Sequence, residues 1–540
     1  MIAGLTVWAV LVPEALAYAT IAGVSPVVGL YAAPGALLLY AALGSSRQLV
    51  TGPMAATAAL SAATVGDLVA GSGDQFLAFT TGLAIATGVA ALIAGLLRLG
   101  FLANFISEPV LKGFIVGLAL TIVIGQVPKL LGVEGADGDF FERLWGLLGD
   151  LGETSGWTLL VGAGSLAIVF GFRRWAPAVP GSLVAVAAGI LAVAIFGLDD
   201  HGVAIVGEVE AGLPTLGAPD LSLADYGELA AGAIGLMLVG FAEGLGAAKA
   251  YAAREHEEID PDRELLGLGG ANIASGLSGG MVVNGSLSKT AVNASAGART
   301  QLSGLLVAVL TVVTLLFLTG LFEELPEATL AAIVIAAVIE LVDFPALAAL
   351  YRVYTRRLGR AYGVAARPDF VAAVAAMLGV LIFDTLPGLF IGIGVAMLLL
   401  LYRSSRPHVA ELGQREAGGR FEDVDRHPDA RPVPGVVVLR VESGLFFANA
   451  EPVRRRIEAA AAEEAVRAVV VDAETIPFID VSAATMLDAL AADLAAEGIR
   501  LLLARDVGQV RDVLGKVAAK SPLEMYPSVR EGVEAASKLS

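Results

Sequence analysis

Long stretches without a charged residue recur throughout this 540-residue chain up to Tyr402. Each is near or above the roughly 18 apolar residues that a helix needs to cross a bilayer. Only 16% of the residues are charged, which is well below the share of about 25% in soluble globular proteins. We therefore predict a polytopic helical membrane protein with a dozen or more segments. The longest uncharged runs are Phe76–Leu97, Trp175–Leu198, Leu302–Phe322 and Thr385–Tyr402.

Basic and acidic residues are segregated into alternate loops between these segments. Residues 132–153 carry six acids and one arginine, whereas the loops at Arg98, Arg173 and Arg254 are basic. By the positive-inside rule the basic loops are cytoplasmic, and the last span then leads into the cytoplasm. We expect a multi-pass protein of the plasma (inner) membrane. The last basic loop carries Arg352, Arg356, Arg357, Arg360 and Arg367.

The composition changes sharply near Arg403, where charged residues become frequent. The stretches "GVVVLRV" (Gly435–Val441) and "AVVVDA" (Ala468–Ala473) have the pattern of short buried strands, and "IRLLLAR" begins a third. Helix-like stretches follow the first two at Ala450–Ala461 and Ser482–Glu497. Strands alternating with helices predict a small α/β domain. We place a membrane domain at residues 1–403, a polar linker at 404–432 and the α/β domain at 433–540.

Two regions are short and rich in glycine and serine, unlike ordinary spans. They are Gly44–Leu60 and Ser278–Gly297, and each leads into a run compatible with a helix. Interrupted segments at corresponding places in two halves of a chain are typical of a transporter site. A half-helix that starts inside the membrane directs its first N–H groups and the positive end of its dipole into a cavity. These regions therefore predict an anion site, and the second one contains Lys289.

Several stretches resemble, in order along the chain, the SulP family of sulfate permeases and their relatives, which include prestin and pendrin. The resemblance implies about fourteen segments in two inverted repeats of seven, forming a core domain and a gate domain. It also implies a cytoplasmic STAS-like domain at the C-terminus. The resembling stretches are "VPEALAYATIAGVSPVVGLY" (Val12–Tyr31), "GSSRQLVTGPMA" (Gly44–Ala55), "LGFLANFISEPVLKGF" (Leu99–Phe114), "GSLSKTAVNASAGARTQLSG" (Gly285–Gly304) and, for the STAS domain, "VPGVVVLRVESGLFFANAE".

In this family the anion lies between the facing N-termini of the third and tenth segments, and the first segment closes the pocket. The chain differs from many relatives at two of the matching positions. Lys289 stands where many have arginine, and a point charge then replaces a bidentate fork. Glu14 stands where many have glutamine. The residues that the resemblance places in the anion pocket are Glu14, Tyr18, Pro53, Met54, Ala55, Ser288 and Lys289.

Four of these residues also have a purely structural interpretation. Lys289 could extend to the membrane interface, as many lysines near span ends do. Tyr18 could be core packing, Pro53 a helix breaker and Ser288 a plain N-cap. Glu14 would add a negative charge beside an anion pocket, so we expect its carboxyl group to be protonated, paired or turned away.

Glu243 is our predicted partner for Lys289 and our predicted proton-coupling residue. It follows an uncharged run from Leu229 to Ala242, within the eighth segment. Intramembrane charges are costly and normally have a partner. A carboxyl group in low dielectric takes up a proton more readily than one in water, and proton-coupled relatives have an acid at the matching place. The alternative is a fixed Glu243–Lys289 salt bridge that only joins two segments.

We therefore predict secondary active transport of a small anion, with proton-coupled symport and with sulfate as the first substrate. Bicarbonate or a C4-dicarboxylate such as fumarate stays open within the same class. A different class is an anion channel or a voltage-responsive membrane protein. Another is a sensor that signals through the STAS-like domain. We expect a homodimer in the lipid bilayer, and the STAS-like domain could also bind a regulatory protein.

Other functional classes have little support in the sequence. The net charge of −18 argues against nucleic acid as a partner. Cysteine is absent and the four histidines lie in loops or in the linker, so we predict no metal site. No P-loop motif occurs. We predict neither an enzyme nor a bound cofactor.

Overall fold

The computed structural model describes the chain except residues 70–72, 102–106, 137, 177–178, 208–210, 256, 340–341, 353–366, 384, 416–419, 518–521 and 539–540. The chain forms two compact units. One comprises Met1–Val353 with Asp369–Ala396, and the other comprises Tyr354–Pro368 with Met397–Ser540. The predicted basic residues Arg356, Arg357 and Arg360 lie outside the described residues.

The membrane part is built from helices, as the uncharged runs predict. Among the described residues, seven helices are long and apolar enough to span a bilayer, and five more are apolar but shorter. In chain order the helices of its first half are α1 Ile2–Ile21, α2 Pro26–Leu43, α3 Ala55–Gly66, α4 Asp74–Leu96, α5 Glu108–Leu131, α6 Phe140–Asp150, α7 Gly156–Trp175 and α8 Gly181–Phe196.

The second half of the membrane part repeats this mixture of long and short helices. Two short strands, β1 and β2, precede the short helices α3 and α11 of the two Gly- and Ser-rich regions. The first strand, β1 Val50–Gly52, lies in the first half. The elements of the second half are α9 Leu223–Glu255, α10 Pro261–Leu277, β2 Asn284–Ser286, α11 Leu287–Ser295, α12 Leu302–Phe317, α13 Glu327–Ile339, α14 Phe344–Arg352, α15 Pro368–Phe383 and α16 Thr385–Ser404.

Glycines allow α4 and α10 to pack unusually closely. A Cβ atom added at Gly88 would lie 2.7 Å from the carbonyl oxygen of Gly269, and one at Gly276 would lie 2.6 Å from that of Thr81. Helices in lipid associate through small residues, because no hydrophobic driving force acts between them there. This tight pair holds α10 in place, and α10 in turn carries a buried acid that matters for the site.

Contacts join some of the loops that carry the same sign of charge. In the basic group, Arg47 forms an ion pair with Glu257 at 3.0 Å, and the Gly100 N–H donates to Asp262 Oδ1 at 2.8 Å. The acidic group is joined by backbone hydrogen bonds from N–H to carbonyl oxygen, which are Val206 to Leu325, Gly207 to Glu323 and Gly217 to Leu277.

The C-terminal unit contains a six-stranded sheet in the order β4-β3-β5-β6-β7-β8. Strands β5 to β8 are parallel, and β3 is antiparallel to both β4 and β5. The three predicted strands are β5, β6 and β7, so the α/β prediction for this part is confirmed. The elements are β3 Val409–Gln414, β4 Phe421–Asp423, β5 Val436–Val441, α17 Ala450–Ala461, β6 Ala468–Asp472, α18 Val481–Ala496, β7 Arg500–Ala504, α19 Gly508–Val517, β8 Glu524–Tyr526 and α20 Val529–Ser537.

Candidate functional site

The two interrupted regions meet as a pair of short antiparallel strands inside the membrane part. Val50 lies opposite Ser286, and Gly52 lies opposite Asn284. A Cβ at Gly285 would lie 2.7 Å from a Leu49 side-chain carbon, so only glycine fits there without displacing a neighbour. The pairing satisfies backbone groups that have no water to bind, and it brings the start of α3 beside the start of α11.

The two helices begin differently. Met54 is the N-cap of α3 and supplies no side-chain cap, whereas Ser286 caps α11 by accepting from the Lys289 N–H at 3.2 Å. The interpretation of Ser288 as the N-cap is therefore wrong, because α11 begins one residue earlier, at Leu287. The Ser288 hydroxyl lies 3.2 Å from the Ser286 hydroxyl instead.

Lys289 is the buried charge at this junction, with only 1% of its side chain exposed. Its Nζ lies 2.6 Å from Glu14 Oε2 and donates to the Pro53 carbonyl oxygen at 3.2 Å. It also lies 5.1 Å from the centre of the Tyr18 ring, within range of a cation–π interaction. Glu14 and Tyr18 are one helical turn apart on α1, so both reach the same cation. Lys289 does not extend to the interface.

Our predicted pairing of Lys289 with Glu243 is wrong. Lys289 pairs with Glu14, while Glu243 Oε2 accepts from the Asn284 Nδ2 at 3.2 Å. The physical reason is that Asn284, on β2, supplies a neutral donor to Glu243, and the Lys289 side chain instead extends toward α1 and the start of α3. Of the three alternatives that we predicted for the Glu14 carboxyl group, the structure shows the paired one.

A cavity of about 290 Å³ lies against this cluster. Six of the predicted site residues line it. Pro53 is outside its lining but contributes its carbonyl oxygen to Lys289, and Glu243 is also outside the lining. The helix starts of α3 and α11 both reach the cavity, so their dipoles favour a negative charge there. The six lining residues are Glu14, Tyr18, Met54, Ala55, Ser288 and Lys289.

A second buried carboxylate, missed by the sequence analysis, holds the chain that leads into β1. Glu264, in the first turn of α10, is fully buried and accepts the Tyr40 hydroxyl at 2.7 Å. It also accepts the Ser45 N–H at 2.8 Å, the Ser45 hydroxyl at 2.7 Å and the Ser46 N–H at 3.0 Å. Its sequence signal was present, because Lys289 is the only charged residue between Glu264 and Arg299 in the sequence.

Polar side chains from the second half of the chain continue this network. The Gln301 amide donates to the carbonyl oxygens of Ser46 and Leu49, both at 2.9 Å. The Thr290 hydroxyl, on α11 itself, accepts the Val50 N–H at 3.1 Å. Glu264, Gln301 and Thr290 are thus positioning residues, since they fix the irregular backbone before α3 without touching the cavity.

The fold is that of a known class of helical membrane transporters. It is similar to the structure of murine Solute Carrier 26 family member A9, an anion transporter in the inward-facing state, with a TM-score of 0.88 at 21% identity over 99% of this chain and 90% of that chain. The transmembrane domain of the cyanobacterium bicarbonate transporter BicA gives a TM-score of 0.62 at 25% identity, over 72% of this chain and 96% of that chain.

Sequence comparisons define the family. The Sulfate permease family matches residues 1–358, and the STAS domain matches residues 427–532. A Mycobacterium tuberculosis protein named "Probable sulfate transporter" is 37% identical over 516 residues, 95% of this chain and 90% of the relative. "Sulfate transporter 4.1, chloroplastic" of Arabidopsis thaliana is 30% identical over 536 residues, 94% of this chain and 74% of the relative. The chain belongs to the sulfate permease family, whose members are transporters and not enzymes, and the predicted resemblance is confirmed.

Proposed function

We propose that this protein is a secondary active anion transporter that binds its substrate in the cavity beside Lys289, α3 and α11. The observation that carries the proposal is the ion pair between Lys289 and Glu14 on the cavity wall. Lysine supplies a full positive charge among helix starts that already favour anions. Sulfate is the first substrate to test, because the curated relatives are named sulfate transporters. Bicarbonate and fumarate are the alternatives.

Proton coupling follows from the same ion pair. While Glu14 is ionised it neutralises Lys289 and repels an arriving anion. A proton on Glu14 removes that repulsion and leaves the Lys289 charge to the anion. Proton and anion then favour each other's binding by the same factor, as linkage requires. We place Glu14 first in this role, and we keep Glu243, whose carboxyl group faces Asn284, as the second candidate.

The test is uptake by purified protein in liposomes, with labelled sulfate, bicarbonate and fumarate across imposed pH gradients. Wild-type uptake of the true substrate should rise when the proton gradient is directed inward. Glu14→Gln should keep uptake but lose this stimulation, because glutamine stays neutral at every pH. The control is Glu108→Gln, which removes a carboxylate that is 77% exposed and pairs with Lys112 on the surface.

The comparison between the two acids decides the coupling residue. Loss of the pH response in Glu243→Gln alone would move the coupling site from Glu14 to Glu243. An unchanged response in both variants would exclude proton symport through either acid. Anion uptake that is driven only by the membrane potential, with no accumulation against the anion's electrochemical gradient, would favour an anion channel over a transporter.

The remaining parts of the proposal concern the setting of the transporter. We propose that it functions in the plasma (inner) membrane with the STAS domain in the cytoplasm, because the basic loops alternate with acidic loops along the chain. We also propose a homodimer, with a regulatory protein as the alternative partner of the STAS domain. Transport by a chain lacking residues 406–540 would make a sensor function for that domain secondary.

A further inference from the structure

A third charged side chain lines the cavity, at the end of α7. Arg173 belongs to the last turn of α7, and Pro180, Gly181 and Ser182 at the start of α8 line the cavity with it. Arg173 is exposed, whereas Lys289 is almost fully buried. The cavity therefore extends from a surface-exposed arginine to the buried lysine. By the orientation of the basic loops, this open end faces the cytoplasm.

The charges of the lining favour an anion along this whole path. Three lining side chains are formally charged, namely Glu14, Arg173 and Lys289. Glu14 and Lys289 offset each other at 2.6 Å, so the lining as a whole has a formal charge of one positive unit. The start of α8, which has no side-chain cap, adds the positive end of another helix dipole beside Arg173. Low-dielectric walls strengthen the field of such charges inside a cleft.

The neighbouring arginine provides a natural contrast. Arg174 is exposed like Arg173 and follows it directly, yet it does not line the cavity. Successive residues of a helix point about 100° apart, because a turn contains 3.6 residues. Both arginines add the same charge to the cytoplasmic face, and only Arg173 places its charge inside the path of the anion.

We propose that Arg173 is the entrance recognition residue of the transporter, which draws anions into the cytoplasmic mouth of the cavity and raises the affinity on that side. This inference rests on the proposed transport function and adds a second cation to Lys289. It assigns to α7 and α8 a direct part in binding. Arg174 has no such part.

The absence of cysteine allows a test that does not depend on transport. Ser182→Cys places the only thiol of the chain inside the cavity mouth. Its thiolate forms a mixed disulfide with methanethiosulfonate reagents and releases methanesulfinate. We compare the rates at which the anionic sulfonatoethyl reagent and the cationic trimethylammonioethyl reagent modify this thiol. The rates are measured in the Ser182→Cys protein itself and in the same protein carrying Arg173→Gln, Arg173→Lys or Arg174→Gln. The Michaelis constant for labelled sulfate on the cytoplasmic side is measured with the thiol left unmodified.

Arg173→Gln should lower the ratio of the anionic to the cationic reagent rate about three- to tenfold. The reason is that one charge in a cleft shifts the local potential, which raises the local concentration of one reagent and lowers that of the other. Arg173→Lys should keep the ratio. Arg174→Gln should change it less than about twofold, because Arg174 lies outside the cavity lining and solvent screens its charge from the thiol. The sulfate Michaelis constant should rise with Arg173→Gln alone.

Two results separate the failure of this inference from the failure of the proposed function. Equal reagent ratios in the Arg173→Gln and Arg174→Gln backgrounds would overturn the role of Arg173, even if sulfate transport is robust. A reduced ratio in Arg173→Gln, with no sulfate uptake by the wild type, would support Arg173 as the anion entrance and reject sulfate as the substrate.

Discussion

Two buried glutamates of the membrane part, Glu14 and Glu264, have opposite surroundings. Glu264 is fully buried and accepts four hydrogen bonds from neutral donors of Tyr40, Ser45 and Ser46. Glu14 is 12% exposed, lines the cavity and faces the Lys289 ammonium group. Every partner of Glu264 is part of the folded chain. The partner of Glu14 is a cation that an incoming anion can also bind.

This difference teaches that burial alone does not make a carboxylate part of a transport site. A carboxylate with all its acceptor sites filled by fixed donors is a structural tie, and removing it leaves those donors unsatisfied. A carboxylate beside a cavity with one competing cation can exchange that partner for a proton. We therefore expect changes at Glu264 to affect stability first, and changes at Glu14 and Lys289 to affect transport first.

Lys289→Met should have the largest effect on transport. It removes the positive charge from the cavity wall while keeping an unbranched side chain, so uptake should fall about a hundredfold or more. The melting temperature in detergent should fall less than in Glu264→Ala, because the Glu14 carboxylate that loses its partner lines the cavity and is 12% exposed. Lys112→Met is the control, since it breaks a surface pair with Glu108 and should leave uptake unchanged. If Lys289→Met transports like the wild type, the Glu14–Lys289 pair is not part of the transport site, and the proposed functional difference between Glu14 and Glu264 is wrong.

Glu264→Ala should have the largest effect on stability. The substitution leaves the Tyr40 hydroxyl and the donors of Ser45 and Ser46 without their acceptor, which should lower the free energy of unfolding by about 3 kcal/mol. Thermal unfolding in detergent measures this loss, and Glu257→Ala, which breaks the pair with the 66% exposed Arg47 side chain, is the control. A Glu264→Ala protein that melts like the wild type but fails to transport would reverse the assignment, making Glu264 the functional acid.

The general architecture was predictable because it depends on features that sequence expresses directly. Uncharged runs indicate spans, and short buried strands indicate the α/β domain. The meeting of Gly44–Leu60 and Ser278–Gly297 at the candidate site follows from a sequence feature as well, because both regions interrupt the hydrophobic pattern. They contain α3 and α11, of 12 and 9 residues, which are too short to span a bilayer.

The ionic partner of Lys289 was not predictable in the same way. Glu14 and Glu243 both lie in apolar helices, and the choice between them depends on how α1 packs against α11 and how α9 packs against β2. The Asn284 amide decides the matter for Glu243, and a neutral amide carries no distinctive sequence pattern. The contacts of Ser45 and Ser46 with Glu264 also leave no distinctive sequence pattern, because two of the four hydrogen bonds to Glu264 come from backbone N–H groups.

Glu14→Gln should have a smaller effect on stability than Glu264→Ala. The glutamine amide can still accept from Lys289 through its oxygen, although the charge attraction is lost, and the cavity admits water to this position. We expect a loss in the free energy of unfolding that is smaller than the loss of about 3 kcal/mol expected for Glu264→Ala, measured by thermal or denaturant titration, because the buried Lys289 charge keeps an oxygen acceptor. A loss as large as that of Glu264→Ala would show that the Glu14–Lys289 pair is itself a structural tie, and the proton switch would then lose its basis.

Ser286→Ala should have the smallest effect on transport and stability. It tests whether the N-cap of α11 orients Lys289 in the cavity. The hydroxyl of Ser286 caps α11 at the Lys289 N–H, and such caps contribute about 1 kcal/mol. Its loss should loosen the turn that carries Lys289, so the Michaelis constant should rise about two- to fivefold with little change in melting temperature. Ser295→Ala is the matched control, because that hydroxyl donates to the Val292 carbonyl oxygen at the other end of the same helix. If both variants raise the Michaelis constant equally, the effect comes from the general stability of α11 and not from the cap that orients Lys289.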